Sequence, residues 1–177
     1  IKGFGLGLIG VFLLLCFLFK SYIEPIIVMS IIPLGLIGVI WGHLLMGLDL
    51  SMPSIIGYAS LAGVVVNDSI LLVHFIKIRR AEGKSSVDAA QTASRERFRA
   101  VLLTSLTTIA GLLPLMLEQS LQAQILIPLV TSLSFGLLAS TGLVLIVVPV
   151  LYAIFDDFGW TVDINEGNSE VIVGQAV

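Results

Sequence analysis

The residues in this chain with the clearest capacity for chemistry are Asn67, Asp68 and Ser69, a polar triplet inside the apolar run Gly63–Val73. A carboxylate without a basic residue among its sequence neighbours, deep in a membrane-length segment, is costly to hold ionised in hydrocarbon, by about 2.5 to 3.5 kcal/mol on insertion scales. Asp68 therefore needs either a proton or a partner. A group with two protonation states whose balance follows packing and water access can couple proton movement to a conformational change. The alternative is that Asn67, Asp68 and Ser69 only hydrogen-bond neighbouring helices and hold them together.

Candidate partners come from a later segment. Thr104 lies about 8 Å into a span that starts on the same side as the end of the Asp68 span, and Asp68 lies at comparable depth. A Thr hydroxyl can donate to a carboxylate or relay a proton, though back-bonding to its own helix is the competing use. Arg97, one or two turns nearer the basic side, is a candidate counter-charge or proton-entry residue. His43 and His74 sit on different spans, and Cys16 is the single cysteine, so no metal-ligand set and no intrachain disulfide are expected. No phosphate-cradling glycine loop follows a strand, and no paired-Asp or Ser/His arrangement suggests hydrolysis, so neither a cofactor nor an enzymatic activity is expected.

The elements that position these residues are membrane helices. With 57% hydrophobic and 12% charged residues, the chain is far from the soluble average, where about a quarter of residues are charged. The expected fold is an all-α, polytopic membrane helix bundle over residues 1–155, with five transmembrane helices. The spans are read at about 3–19, 25–46, 53–76, 99–117 and 125–155, each near the ~20 residues needed to cross the hydrocarbon. Pro33 predicts a kink in the second span. A short amphipathic helix at about 86–98, preceded by the Ser85–Asp88 N-cap signal, is expected to lie on the membrane surface. Gly38 and Gly42 form a GxxxG step, and with Gly63 and Gly111 they are the candidate packing glycines. His43, near the end of its span, reads as interfacial.

Seven of the nine basic residues fall between Lys77 and Arg99. Positive charge marks the cytoplasmic side, so the 77–99 loop is expected to be cytoplasmic. Alternation then puts the acidic tail, 156–177, on the same side, disordered beyond Trp160. The basic cluster is interleaved with Glu82, Asp88 and Glu96 and lies between spans, which argues against nucleic acid as a partner. The chain starts at Ile1 with an apolar run, and reads as a piece of something longer.

The run Gly63-Val-Val-Val-Asn67-Asp68-Ser69-Ile-Leu-Leu-Val73, then Glu82-Gly83-Lys84, Arg95-Glu-Arg97-Phe-Arg99-Ala-Val-Leu-Leu-Thr104-Ser105 and Gly111-Leu-Leu-Pro114, resembles the C-terminal part of resistance-nodulation-division (RND) efflux transporters. The Phe19–Tyr22 link and the Pro33-Leu34-Gly35 step are similar too. The resemblance implies helices eight to twelve of a twelve-helix protomer built from two related halves. It also implies a homotrimer in a bacterial inner membrane, working with a periplasmic adaptor and an outer-membrane channel, that exchanges protons for drugs or other amphiphiles. It implies that the triplet faces a paired-Asp motif on a helix outside this chain, and that Arg97 and Thr104 are relay residues. This sequence departs from the best-studied pumps, which have Lys where Asn67 stands and Asn where Asp68 stands. A lysine-based ion-pair switch therefore does not carry over. An RND-like lipid exporter, and a scaffold or truncated product that does not transport, are the alternative readings.

Overall fold

The computed structural model describes residues 2–159, and every element in it is helical. In chain order these are α1 (Lys2–Phe19), α2 (Ile23–Met46), α3 (Met52–Ala81), α4 (Ser86–Met116) and α5 (Leu121–Asp157). Four of them, α2 to α5, are long and apolar enough to cross a membrane. The apolar part of α1, Gly3–Phe19, has 17 residues, about 26 Å at helical rise, and falls just short of a ~30 Å core.

The sequence signals for helix ends act where expected. Ser85 caps α4, its Oγ accepting from the Asp88 N–H at 3.2 Å. Ser51 and Ser54 satisfy each other reciprocally at the start of α3, where Pro53 costs no hydrogen bond. Gly47, with φ 63°, ends α2 in the left-handed conformation and turns the chain into the α2–α3 link.

Several boundaries differ from the sequence reading: α3 continues to Ala81, past the expected end at 76, and α5 starts at Leu121, ahead of 125. The surface helix at 86–98 and the span at 99–117 are one continuous helix, α4, because no Gly or Pro interrupts the chain from Ser86 to Ala110. Asp156 and Asp157, assigned above to the tail, belong to the last turn of α5. The Asp156 carboxylate bonds Arg80 of α3 and the Ser86 hydroxyl of α4, which fastens three helices together at the basic end. The remainder of the expected tail, from Trp160 on, lies outside the described residues.

α5 is the central helix, packed against α2, α3 and α4, while α1 packs on α2. Small residues make this possible. Ser132, Gly136 and Ser140 recur every fourth residue on α5 and form one face. A methyl group placed on Gly35 of α2 would sit 2.9 Å from Ser140 Oγ. On Gly38 it would sit 2.5 Å from the Phe135 carbonyl oxygen, and on Gly42 2.5 Å from Phe135 Cβ. Gly57 of α3 meets Ser132 and the Leu129 carbonyl in the same way, and Gly136 receives Leu61. The Ser132 and Ser140 hydroxyls have no hydrogen-bond partner among the described residues, so it is their size that this seam uses. Gly63 and Gly111, by contrast, have open space where a Cβ would stand.

α5 runs on through Pro149, which has no N–H to offer the Leu145 carbonyl one turn earlier. Ser94 of α4 supplies the missing donor, its hydroxyl reaching that carbonyl at 3.3 Å. Large apolar side chains such as Phe17, Leu121 and Ile146 are mostly exposed in this chain.

A candidate intramembrane carboxylate site

The polar triplet is split by the rotation of α3. Asp68 and Ser69 turn into the bundle and are buried, while Asn67 is exposed. Ser69 donates back to the Val65 carbonyl at 2.8 Å, which leaves Asp68 as the group of the triplet available for chemistry inside the bundle.

Arg97 of α4 packs against α3 on nearly the same face as Asp68. Its guanidinium carbon lies 4.2 Å from the centroid of the Phe75 ring, on α3. Phe75 follows Asp68 by seven residues, so it shares nearly the same helix face about 10.5 Å nearer the basic end. The Arg97 Nε is buried without a hydrogen-bond partner among the described residues. Arg97 is therefore held by an aromatic face and not by a carboxylate, and its charge stays available to Asp68.

Thr104 follows Arg97 by seven residues on α4, which runs antiparallel to α3. The same arithmetic puts it level with Asp68. Its side chain is exposed, however, and its hydroxyl donates to the Ala100 carbonyl at 2.9 Å. Thr107 and Thr108 also bond back into α4. The structure thus buries Asp68, sets Arg97 against α3 at Phe75, seven residues nearer the basic end, and leaves Asn67 and Thr104 exposed.

Several interhelical polar contacts were not foreseen. His43, read as interfacial, is buried, with Nε2 2.7 Å from Ser54 Oγ and Nδ1 2.9 Å from the Val39 carbonyl. A carbonyl only accepts, so Nδ1 carries the hydrogen and the Ser54 hydroxyl donates to Nε2. Glu24, in the first turn of α2, is fully buried and pairs with Lys77 Nζ of α3 at 2.8 Å. Lys77 also reaches the Phe19 carbonyl at the end of α1 at 3.4 Å, and so joins three helix ends. Ser105 and Thr141 share a hydrogen bond of 2.5 Å between α4 and α5. No cluster of three or more His, Cys, Asp or Glu side chains is found among the described residues.

These features define a multi-pass membrane protein with a buried carboxylate near a cation within its helix bundle. The AcrB/AcrD/AcrF family model matches residues 3–156, and the chain belongs to this RND family. Two crystal forms of a heavy metal efflux pump are similar to it. Form II aligns with a TM-score of 0.76 at 29% identity, covering 85% of this chain and 14% of the pump. Form I aligns with a TM-score of 0.75 at 27% identity, covering 86% and 15%. The chain thus spans about one-seventh of the length of these solved relatives.

Proposed function

We propose that this chain is the C-terminal transmembrane part of a proton-driven exporter of amphiphilic compounds, acting in transport and not in catalysis. Asp68 takes up and releases the proton, and Arg97 stabilises its ionised form. The observation that carries this reading is the burial of Asp68 in α3, on the helix face that receives Arg97 at Phe75. Uptake of a proton removes the attraction between the two groups, so α3 and α4 have different preferred arrangements in the two states. Asn67 and Thr104, on the outward side at the same level, are suited to complete the relay with residues outside this chain.

The remainder of the protomer, a homotrimeric assembly, a periplasmic adaptor and an outer-membrane channel belong to the same proposal. So do an inner-membrane location and a cytoplasmic 77–99 segment, which rest on the clustering of basic charge.

For an amphiphilic substrate, support comes from a cavity of about 340 Å³ between α1 and α3. The side chains that line it, Phe4, Leu8, Ala62 and Val66 among them, are apolar. Export of metal ions is the second reading, favoured by the likeness to a heavy metal efflux pump. Transport assays on the full-length protein decide both points. Asp68→Asn and, separately, Thr104→Ala should each slow proton-coupled export, and normal rates in both variants would overturn the relay. A dye or detergent substrate transported in preference to a divalent or monovalent metal ion supports the amphiphile reading, and the reverse preference selects the metal.

A further inference from the structure

The relay leaves two further arginines on α4 unused. At about 100° per residue, Arg95 and Arg99 lie about 160° and 200° around the helix from Arg97, on its opposite side. Both are exposed, and neither has an acidic partner among the described residues.

Beside Arg95, between α4 and α5, lies a cavity of about 440 Å³ lined by Ser94, Arg95, Phe98, Gly142, Leu145 and Ile146. The Ser94 hydroxyl is already committed to the Leu145 carbonyl, so Arg95 is the one polar group on the lining with capacity for a ligand. A Cβ on Gly142 would meet nothing within 4 Å, which leaves room along the α5 wall. From this cavity an exposed apolar stripe of Ile146, Val150 and Ile154 continues along α5 towards the basic end. Arg95 thus stands next to a surface that prefers hydrocarbon, where a cation without a counter-charge is costly, and Arg99 follows one turn further along the same side of α4. A phospholipid meets both requirements, with a phosphate for the guanidinium fork and an acyl chain for the cavity.

We propose that Arg95 and Arg99 bind the headgroup of an anionic phospholipid whose acyl chain fills the cavity between α4 and α5. Two guanidinium groups against a single phosphate select a lipid with net negative charge over a zwitterionic one. The site is independent of the proton relay, because it lies on the other side of α4.

The test is native mass spectrometry of the detergent-purified protein titrated with phosphatidylglycerol or with phosphatidylcholine of the same acyl chains. Wild type should retain phosphatidylglycerol over phosphatidylcholine by roughly tenfold. Arg95→Gln/Arg99→Gln should bring the two lipids level, while Arg95→Lys/Arg99→Lys should keep the preference, which separates loss of charge from loss of fold. Gly142→Leu, with both arginines intact, should lower retention of both lipids by filling the acyl seat. Equal retention of the two lipids by wild type, an unchanged preference in the double Gln variant, or full retention in Gly142→Leu overturns the proposal.

Discussion

The Arg97 guanidinium stacks on the Phe75 ring at 4.2 Å, and this contact holds α3, which carries Asp68, and α4 in one register. Phe75 is then a positioning residue for Arg97. A partly desolvated cation–π contact contributes about 0.5 to 2 kcal/mol. Phe75→Leu should therefore slow proton-coupled export by roughly two- to thirtyfold and shift its pH profile, whereas Phe75→Tyr should restore both. A merely structural Phe75 would change the amount of folded protein and leave the pH profile in place.

The Glu24–Lys77 pair is the most deeply buried ion pair among the described residues. Removal of one partner from such a pair leaves an uncompensated charge and costs about 3 to 5 kcal/mol. Glu24→Gln should accordingly lower the thermal stability of the purified protein strongly. Glu24→Gln/Lys77→Met should recover most of the loss, because no charge is then left in the interior. A double variant as unstable as the single one would show that the pair contributes more than charge balance.

Ser54→Ala should strand the His43 Nε2 acceptor in a buried position, at a cost of about 1 to 3 kcal/mol. Ser54→Thr keeps the hydroxyl and should cost much less. Thermal unfolding in detergent distinguishes the two, and equal melting temperatures would mean that water replaces the Ser54 hydroxyl.

At the basic end, two hydrogen bonds from Arg79, of 2.7 and 2.9 Å, hold the Glu82 carboxylate below its ordinary range. The folded-state pKa is depressed, so the stabilisation is fully present above the unfolded carboxylate value and disappears as pH falls through the folded one. Glu82→Gln should lower stability slightly at neutral and alkaline pH and leave it unchanged at acidic pH, where Glu82 is already protonated, and so flatten this acid limb of the stability curve. The pair is exposed, so the effect should shrink in high salt.

Helix positions were legible because apolar runs, Ser caps and Pro or Gly punctuation are local properties. Continuity of α4 was legible too, in the absence of a breaker between Ser86 and Ala110, but the dense charge of 95–99 pointed towards a separate surface helix. Depth could be read from helical rise, which is why Thr104 and Asp68 come out level. Rotation could not. Thr104 faces outward and Asp68 inward because of how α3 and α4 pack on α5, and no local signal in either segment encodes that choice. His43 shows the same limit: its place near the end of an apolar run suggested an interface, and its rotation towards Ser54 made it interior. For Phe75 a signal did exist, since it stands seven residues from Asp68 and so shares its face, but an aromatic in a membrane helix is ordinarily read as lipid-facing bulk. The Glu24–Lys77 pair joins residues 53 positions apart and depends on tertiary structure alone.

Pro149 in α5 ties the genetics of two helices together. Ser94 is needed because Pro149 withholds a donor from the Leu145 carbonyl. Replacing Pro149 with Leu returns a backbone N–H to that carbonyl and makes the Ser94 hydroxyl redundant, so the two positions are epistatic. Ser94→Ala should be deleterious in the wild-type background and close to neutral beside Pro149→Leu, a dependence that neither helix reveals when mutated alone.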